Sequence, residues 1–504
     1  MQKILTFALL SASLYLAAEE SNLDMPSTAE AAKPAQTAAL PSAARGDQSV
    51  KAARAEAMAR DRAKIAQLLK DHGSFAAMAE KLAPAYAANN EAAKKEAAKW
   101  FENGYFTAGP VSATPVRSNF VKAMTALDRY LKEQGVDLIV VRVPNRNEAA
   151  FGLFGENPLP GECNPYFREV QQQLLDADVE YLDGLEIVQR ERGKYPLSYW
   201  YTIPKEGHPA EGLSMALADL LADRLNRYQF PATGKYHTVT DTEAYKKVNF
   251  PPGNPKYDPA KPYSFAAVRA ADNSVPVIGE NNGSPLLFIS DSYGAYPGVK
   301  AGASVPHYLL TRIPHQGDWI YRNGSSQGAS TFLYRKGLDF VKNRQAVVLL
   351  AHPGNLNGVS ELPPPELRFV APERMKAAQT IEGAALEEVA RANPEIFRYL
   401  ADKKSLVFNE VKWGKQPEPG FKLKLPAEAL AAPMVALELD YASHNYAFVT
   451  ASCGDSSQID VLSNSEKIGK QLFVLHRRGD EIEFKIKYVS PQTEVKAIRI
   501  YAIR

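Results

Sequence analysis

The sequence predicts an α/β protein: a parallel sheet flanked by helices, preceded by an N-terminal helical segment and followed by a C-terminal β-sandwich. Three observations lead there. Strand and helix signals alternate between about residues 111 and 360, the pattern of a parallel sheet covered by helices. The apolar run Leu286-Leu287-Phe288-Ile289 ends abruptly in Ser290-Asp291-Ser292-Tyr293-Gly294, which reads as a buried strand entering a tight turn. After Ser405 the chain turns into short β-rich runs separated by turn residues.

Taken in order, residues 1–18 carry Lys3 and the apolar run Ile4 to Ala18, the layout of a secretory signal peptide. The run is short of the about 20 apolar residues that a membrane span needs. Leu16-Ala17-Ala18 is an imperfect cleavage site, so an uncleaved anchor is the competing reading; the chain is expected outside the cytoplasm, in the periplasm or at the cell surface. Residues 19–50, rich in Ala, Ser, Thr and Pro, read as a flexible tether. Residues 51–110 are dominated by strong helix formers. Ile65, Leu68 and Leu69 share a helical face, as do Phe75, Met78 and Leu82.

Within 111–360, Phe120–Gln134 reads as helix and Val136–Val143 as a strand buried on both faces; Glu169–Ala177 and Val179–Leu182 repeat the pair. An amphipathic helix is expected over Gly212–Tyr228, a long surface excursion over 229–284 with its seven prolines, and a strand over Ala346–Ala351. Residues 361–404 read as Pro-rich linker and then helix, Pro372–Leu400. Strands are expected at 406–413, 434–441, 447–453, 471–476, 481–488 and 495–503, together a β-sandwich over 405–504. Sandwiches of this size on extracellular enzymes often bind glycans; a purely stabilising module is the competing reading.

With 504 residues, 45% hydrophobic and 23% charged, the composition is that of a soluble protein of two or three domains. A formal charge of +2 without basic blocks gives no reason to expect nucleic acid. Cys163 and Cys453 lie too far apart for a zinc or redox motif and are expected as two separate thiols. The histidines, His307 and His315 among them, show no metal-ligand spacing, and no glycine-rich phosphate loop occurs, so neither metal nor cofactor is expected.

Carboxyl ends of strands are where α/β sheets place their chemistry. A nucleophilic Ser292 needs a base and a group to orient that base, and Glu206-Gly207-His208-Pro209-Ala210-Glu211-Gly212 supplies candidates. The competing structural reading has Asp291 or Ser292 merely capping the next helix. Arg146 and His352 fall at strand ends on the same sheet, and with Tyr293 they are expected to line the cleft and contact substrate; a satisfied structural histidine is the competing reading of His352.

Ser290-Asp291-Ser292 resembles the Gly-Asp-Ser block of SGNH-type hydrolases, and Glu206-x-His208 with Gly212 resembles their Asp-x-His block. The serine block comes second here. That order is similar to the permuted SGNH branch of alginate O-acetyltransferases, periplasmic proteins that acetylate exopolysaccharides. The segment Leu138–Arg146 and the lead-in Tyr199-Trp200-Tyr201-Thr202 fit the same branch. The sequence departs from it at Glu206 for Asp, Ser290 for Gly, and Pro209 after the histidine, where the branch tends to have Trp.

The resemblance implies an SGNH-like domain in which Ser292 attacks an acetyl donor, His208 is general base and acid, and Glu206 orients His208. The turn Arg322–Gly328 resembles a second block of the branch, which implies Asn323 and Gly324 as oxyanion donors; a plain surface turn is the competing reading. The partners implied are a polysaccharide acceptor and a membrane-bound O-acyltransferase as acetyl donor. Two further readings share these residues: a polysaccharide acetyl esterase, and a non-catalytic glycan-binding assembly protein.

Overall fold

In the computed structural model the described residues are 47–100 (side chains to 92), 112–116, 120–152, 155–191, 200–201, 208–241, 265–280, 283–321, 340–352, 374–412, 417–442, 447–462, 469–489 and 493–504. The expected signal peptide and most of the tether lie outside them. They divide into two compact units: the first takes in 47–116, 135–320 and 343–352, the second 120–134, 321, 340–342 and 374–504.

The first unit opens with two long helices, α1 (Gln48–His72) and α2 (Phe75–Trp100). Asp47 caps α1 by accepting the Ser49 amide, and Gly73 ends it at φ +84°, a left-handed conformation that favours glycine. The predicted apolar faces are used. Met58, Ile65, Phe75, Met78, Leu82 and Tyr86 share a core with Phe151, Leu159, Cys163, Leu175 and Leu185. Ion pairs flank that core: Arg54 with Asp178 at 3.2 Å, and Asp61 with Arg224 at 2.8 Å. The helical segment is thus built into the unit and is no free stalk.

The unit's sheet has the order β2-β1-β7-β5-β6, with β1 (Asp137–Arg142), β2 (Glu180–Asp183), β5 (Leu286–Ser290), β6 (Asp318–Tyr321) and β7 (Ala346–Ala351). The pairs β1–β2, β1–β7 and β5–β7 are parallel. Every residue of β5 and β7 is buried, which explains why these strands read as unbroken apolar runs rather than alternating ones. Between strands run α4 (Arg146–Ala150), α5 (Pro165–Asp176), α6 (Leu185–Glu191) and α7 (Glu211–Leu225). Helix α5 starts four residues ahead of the expected Glu169, because Asn164 caps it and Pro165 fits the first helical position. Within the expected surface excursion, β3 (Tyr236–Asp241) and β4 (Phe265–Ala270) form an antiparallel ribbon, and Ala267 and Val268 are buried.

The second unit contains α3 (Phe120–Lys132) and two antiparallel sheets. One sheet has the order β15-β12-β17-β10-β9, with β8 also paired to β17; the other runs β11-β16-β13-β14. Their strands are β8 (Met375–Glu382), β9 (Phe397–Leu400), β10 (Ser405–Phe408), β11 (Gly420–Lys424), β12 (Met434–Ala442), β13 (Ala447–Cys453), β14 (Ser456–Leu462), β15 (Gly469–His476), β16 (Glu481–Tyr488) and β17 (Glu494–Ile503). Leu437, Leu439, Phe473, Ile498 and Ile500 of the first sheet share a core with Phe421, Val449, Ile482, Phe484 and Ile486 of the second.

The expected helix Pro372–Leu400 is corrected. Met375–Glu382 is strand β8, paired to β17 from Met375↔Ile503 to Glu382↔Ala497; only Ala385–Ala392 is helical, and Phe397–Leu400 is β9. Helix-forming Lys376, Ala377, Ala378 and Gln379 misled the local reading, since the hydrogen-bonding edge of β17 overrides propensity. The sandwich therefore begins near Met375 rather than at 405. Both cysteines are buried free thiols. Among the described residues no helix is long and apolar enough to cross a membrane.

Candidate active site

Three adjacent parallel strands bring their carboxyl ends together. Strand β1 leads through Val143-Pro144-Asn145 to Arg146, β7 ends beside His352, and β5 runs into the turn that carries Ser292. At that turn Asp291 caps the one-turn helix α8 (Ser292–Ala295), its carboxylate accepting the Tyr293 amide at 2.9 Å. The capping role therefore belongs to Asp291. Ser292 itself is 8% exposed, and its hydroxyl meets another element.

That element is the segment ahead of α7. Trp200 and Tyr201 are buried, Tyr201 bridges Pro209, and the Ala210 amide donates to the Trp200 carbonyl at 2.9 Å. His208 stands beside this pairing, and its Nε2 lies 3.0 Å from Ser292 Oγ. A second bond ties the two arms: Ser214 on α7 donates to the carbonyl of Tyr296 at 2.8 Å. The histidine and the serine are thus braced by a bond six positions beyond one and four beyond the other.

Aromatic rings hold the imidazole. His208 stacks on Tyr296 at 4.0 Å between centroids, and its other neighbour is Tyr293 at 4.9 Å. Tyr293 in turn lies 3.8 Å from His352. Packed among rings, the imidazole loses water that would solvate its charged form, so burial pushes His208 down to about 4 although part of the residue remains exposed. His352 is pushed down to about 3, by burial first and then by His208 and Arg142. Both rings are neutral at pH 7, the state a general base requires.

A buried charge network stiffens the β1 side. Arg142 reaches Asp183 at 3.0 Å through both Nε and Nη2, and Glu148 at 2.5 Å; Arg168 pairs with Glu162 and Asp183. Burial opposes the charge on Asp183, yet Arg142 and Arg168 hold its carboxyl below the usual range. Glu148 and Asn145 form a reciprocal capping box at the start of α4, and the Tyr201 hydroxyl donates to the Pro144 carbonyl. Arg146 is set beyond this fixed point, near Tyr293 and Tyr201.

No protein-family model matches the sequence, and no curated protein matches it either. Two solved structures are similar in outline. The O-acetyltransferase domain of Pseudomonas putida AlgJ is 15% identical, over 48% of this chain and 84% of that one, with a TM-score of 0.35. Pseudomonas aeruginosa AlgX is 12% identical, over 78% of this chain and 90% of that one, with a TM-score of 0.40. At such values residue roles have to rest on the geometry of this chain.

Of the residues singled out from sequence, Ser292, His208, Tyr293 and His352 come together, and Arg146 lies beside Tyr293. Glu206, Asn323 and Gly324 lie outside the described residues. Sequence reasoning missed Tyr296 and Ser214. A signal for Tyr296 was present, since an aromatic residue four positions after a helix-starting serine returns to the same side of the turn. Ser214 offered none, being one small residue on a helix. His307 and His315 are buried and satisfied by Ser304 and the Pro276 carbonyl, and by Ser284 and the Pro231 carbonyl. Among the described residues no cluster of His, Cys, Asp or Glu is arranged to hold a metal ion.

Proposed function

We propose that the chain is an exported O-acetyltransferase that carries an acetyl group on Ser292 and passes it to hydroxyls of an exopolysaccharide. The observation that carries this reading is the 3.0 Å approach of His208 Nε2 to Ser292 Oγ at the carboxyl end of a parallel sheet. A serine hydroxyl is a poor nucleophile until a positioned base takes its proton. Neutral His208 does so as Ser292 attacks the donor's acetyl carbon; the imidazolium then returns the proton to the leaving oxygen. In the second half the acceptor hydroxyl attacks the acetyl-serine, with His208 again taking and returning the proton.

Glu206 holds the imidazole tautomer, and the Ser292 amide with Asn323 and Gly324 receives the developing oxyanion. Arg146, Tyr293 and His352 border the space where donor and acceptor bind. The acetyl comes from a membrane-bound O-acyltransferase, and the secretory leader read in residues 1–18 sets the reaction in the periplasm. The sandwich is assigned to glycan contact. The likeness of Ser290–Ser292 and Glu206–His208 to the SGNH blocks supports the same reading.

The test is acetyl release from a small activated acetyl ester by the purified mature chain, with Ser292→Ala, His208→Ala and Glu206→Ala each checked for folding. Loss in the Ser292 and His208 variants is expected, followed by transfer to polysaccharide acceptors in preference to water. A folded wild type with no acetyl release would end the catalytic reading.

A further inference from the structure

The residue before Asp291 is where this sequence departs from the Gly-Asp-Ser block, and the structure shows how the departure is accommodated. Ser290 is fully buried, and its hydroxyl accepts a hydrogen bond from the indole Nε1 of Trp319 at 2.9 Å. Trp319 lies on β6, is itself fully buried, and belongs to the strand that follows β5 in the sheet order. A buried indole N–H needs an acceptor, and this strand end supplies one. Above Ser290 sits Gly294, in the last turn of α8. A Cβ there would stand 2.5 Å from Ser290 Oγ, 2.6 Å from Ser290 Cβ and 2.8 Å from Leu350 Cδ1 of β7. The short helix that begins with Ser292 is therefore seated directly on the Ser290 side chain, with Leu350 bracing it from one neighbouring strand and Trp319 holding its seat from the other.

We propose that Ser290 and Trp319 are positioning residues for Ser292, their hydrogen bond setting the pitch of the strand-to-helix turn and hence the place of the Ser292 hydroxyl against His208. This rests on the reading of Ser292 as a nucleophile. Where a glycine leaves the turn to be placed by backbone alone, this chain places it through a side chain that reaches the next strand. Gly294 complements Ser290, since only a residue without Cβ lets the helix settle onto that side chain. Removing the bond leaves the reacting groups present and His208 in its aromatic stack, but lets the turn drift. Misplacement of a nucleophile by about 1 Å lowers a rate by up to about a hundredfold.

The experiment uses the full mature chain and an alkyl fluorophosphonate, which reacts with an activated serine: an oxygen–phosphorus bond forms, fluoride leaves, and the serine proton passes to the histidine. Formation of the Ser292 adduct is followed by intact mass for wild type, Ser290→Ala, Trp319→Phe and the double variant, with Ser290→Thr as a variant that keeps the hydroxyl. The expected result is a maximal rate about 10- to 100-fold lower in each single variant, with reagent affinity and the pH midpoint unchanged. The double variant is expected to be no slower than the worse single one, because both changes remove one bond. Retention of the wild-type rate by folded Ser290→Ala overturns the inference while leaving the nucleophile in place. Losses that multiply in the double variant overturn it too, since they show two independent packing effects. A folded wild type that forms no adduct overturns the nucleophile reading, and this inference with it.

Discussion

Strand β5 has a serine–histidine hydrogen bond at each of its ends. At the carboxyl end Ser292 Oγ lies 3.0 Å from His208 Nε2; at the amino end Ser284 Oγ lies 2.9 Å from His315 Nε2. The amino-terminal pair is well ordered by any geometric measure. His315 Nδ1 donates to the Pro231 carbonyl at 2.7 Å, which leaves Nε2 as the acceptor of the Ser284 proton, the tautomer a base would need. What separates the pairs is their surroundings. Ser284 also accepts the Leu286 amide, its carbonyl is taken by Arg344, which also pairs with Asp318, and His315 stacks on Phe230. The hydroxyl, its carbonyl and the imidazole there are all engaged in holding the strand's entry. At the other end Ser292 is the first residue of a helix capped by Asp291, and its histidine keeps partial exposure. A short Ser–His distance alone therefore does not single out a nucleophile; the proposed one differs in lying at the carboxyl end of its strand beside a partly exposed histidine.

The sharpest way to break that comparison is to remove each hydroxyl in turn. Ser292→Ala should lower acetyl-ester turnover by about 10⁴-fold or more, whereas Ser284→Ala should leave turnover per folded molecule within about threefold and reduce thermal stability. Comparable losses of turnover in the two variants would erase the distinction. Next in size is Gly294→Ala. Its added methyl would meet Ser290 and Leu350 inside 3 Å, so a loss of about 1–3 kcal/mol in stability is expected together with slower turnover. Urea unfolding and steady-state rates read both, and an undisturbed protein would show that the turn is not tightly seated.

A smaller effect concerns pH. Because burial pushes His208 down to about 4, the neutral base should persist well below the ordinary imidazole range. Turnover should fall as pH drops through about 4, by roughly tenfold at one unit below it. A midpoint near 6.5 would mean that the ring is solvated like a free imidazole. The same shifts act on stability with a definite sign. His208 and His307 at about 4, and His352 at about 3, bind fewer protons folded than unfolded below about 6.5. Their contribution is complete above that pH and declines as the solution is acidified toward 4. Calorimetry across this window should show the melting temperature falling. Smallest in its effect on turnover is His315→Phe, expected to cost about 1–3 kcal/mol of stability through the orphaned Ser284 and Pro231 groups with no change in pH midpoint; a shifted midpoint would tie the amino-terminal pair to the reaction.

Much of the frame was legible because its signals are local. The strand Ala346–Ala351, the helix over Phe120–Lys132 and the strand Ala447–Cys453 stand where apolar period and turn residues put them. Ser292 and His208 were legible as motif fragments at a strand end and ahead of a helix. The strands β8, β9, β11 and β14 were not. Gly420–Lys424 alternates only five residues, and Met375–Glu382 is composed of helix formers, so their state depends on partners far along the chain.

Sequence alone determined the periodicities, the residue types and the candidate nucleophile and base, because these depend on neighbours within a few positions. Tertiary structure decided which of two Ser–His pairs keeps a partly exposed histidine, how Tyr296 and Tyr293 hold an imidazole, and how the buried Ser290 hydroxyl meets Trp319. Those outcomes turn on groups brought within a few ångströms from distant segments. His208 and Ser292 are 84 positions apart, and only the folded sheet and the pairing of Trp200–Tyr201 with Pro209–Ala210 convert that separation into a 3.0 Å hydrogen bond.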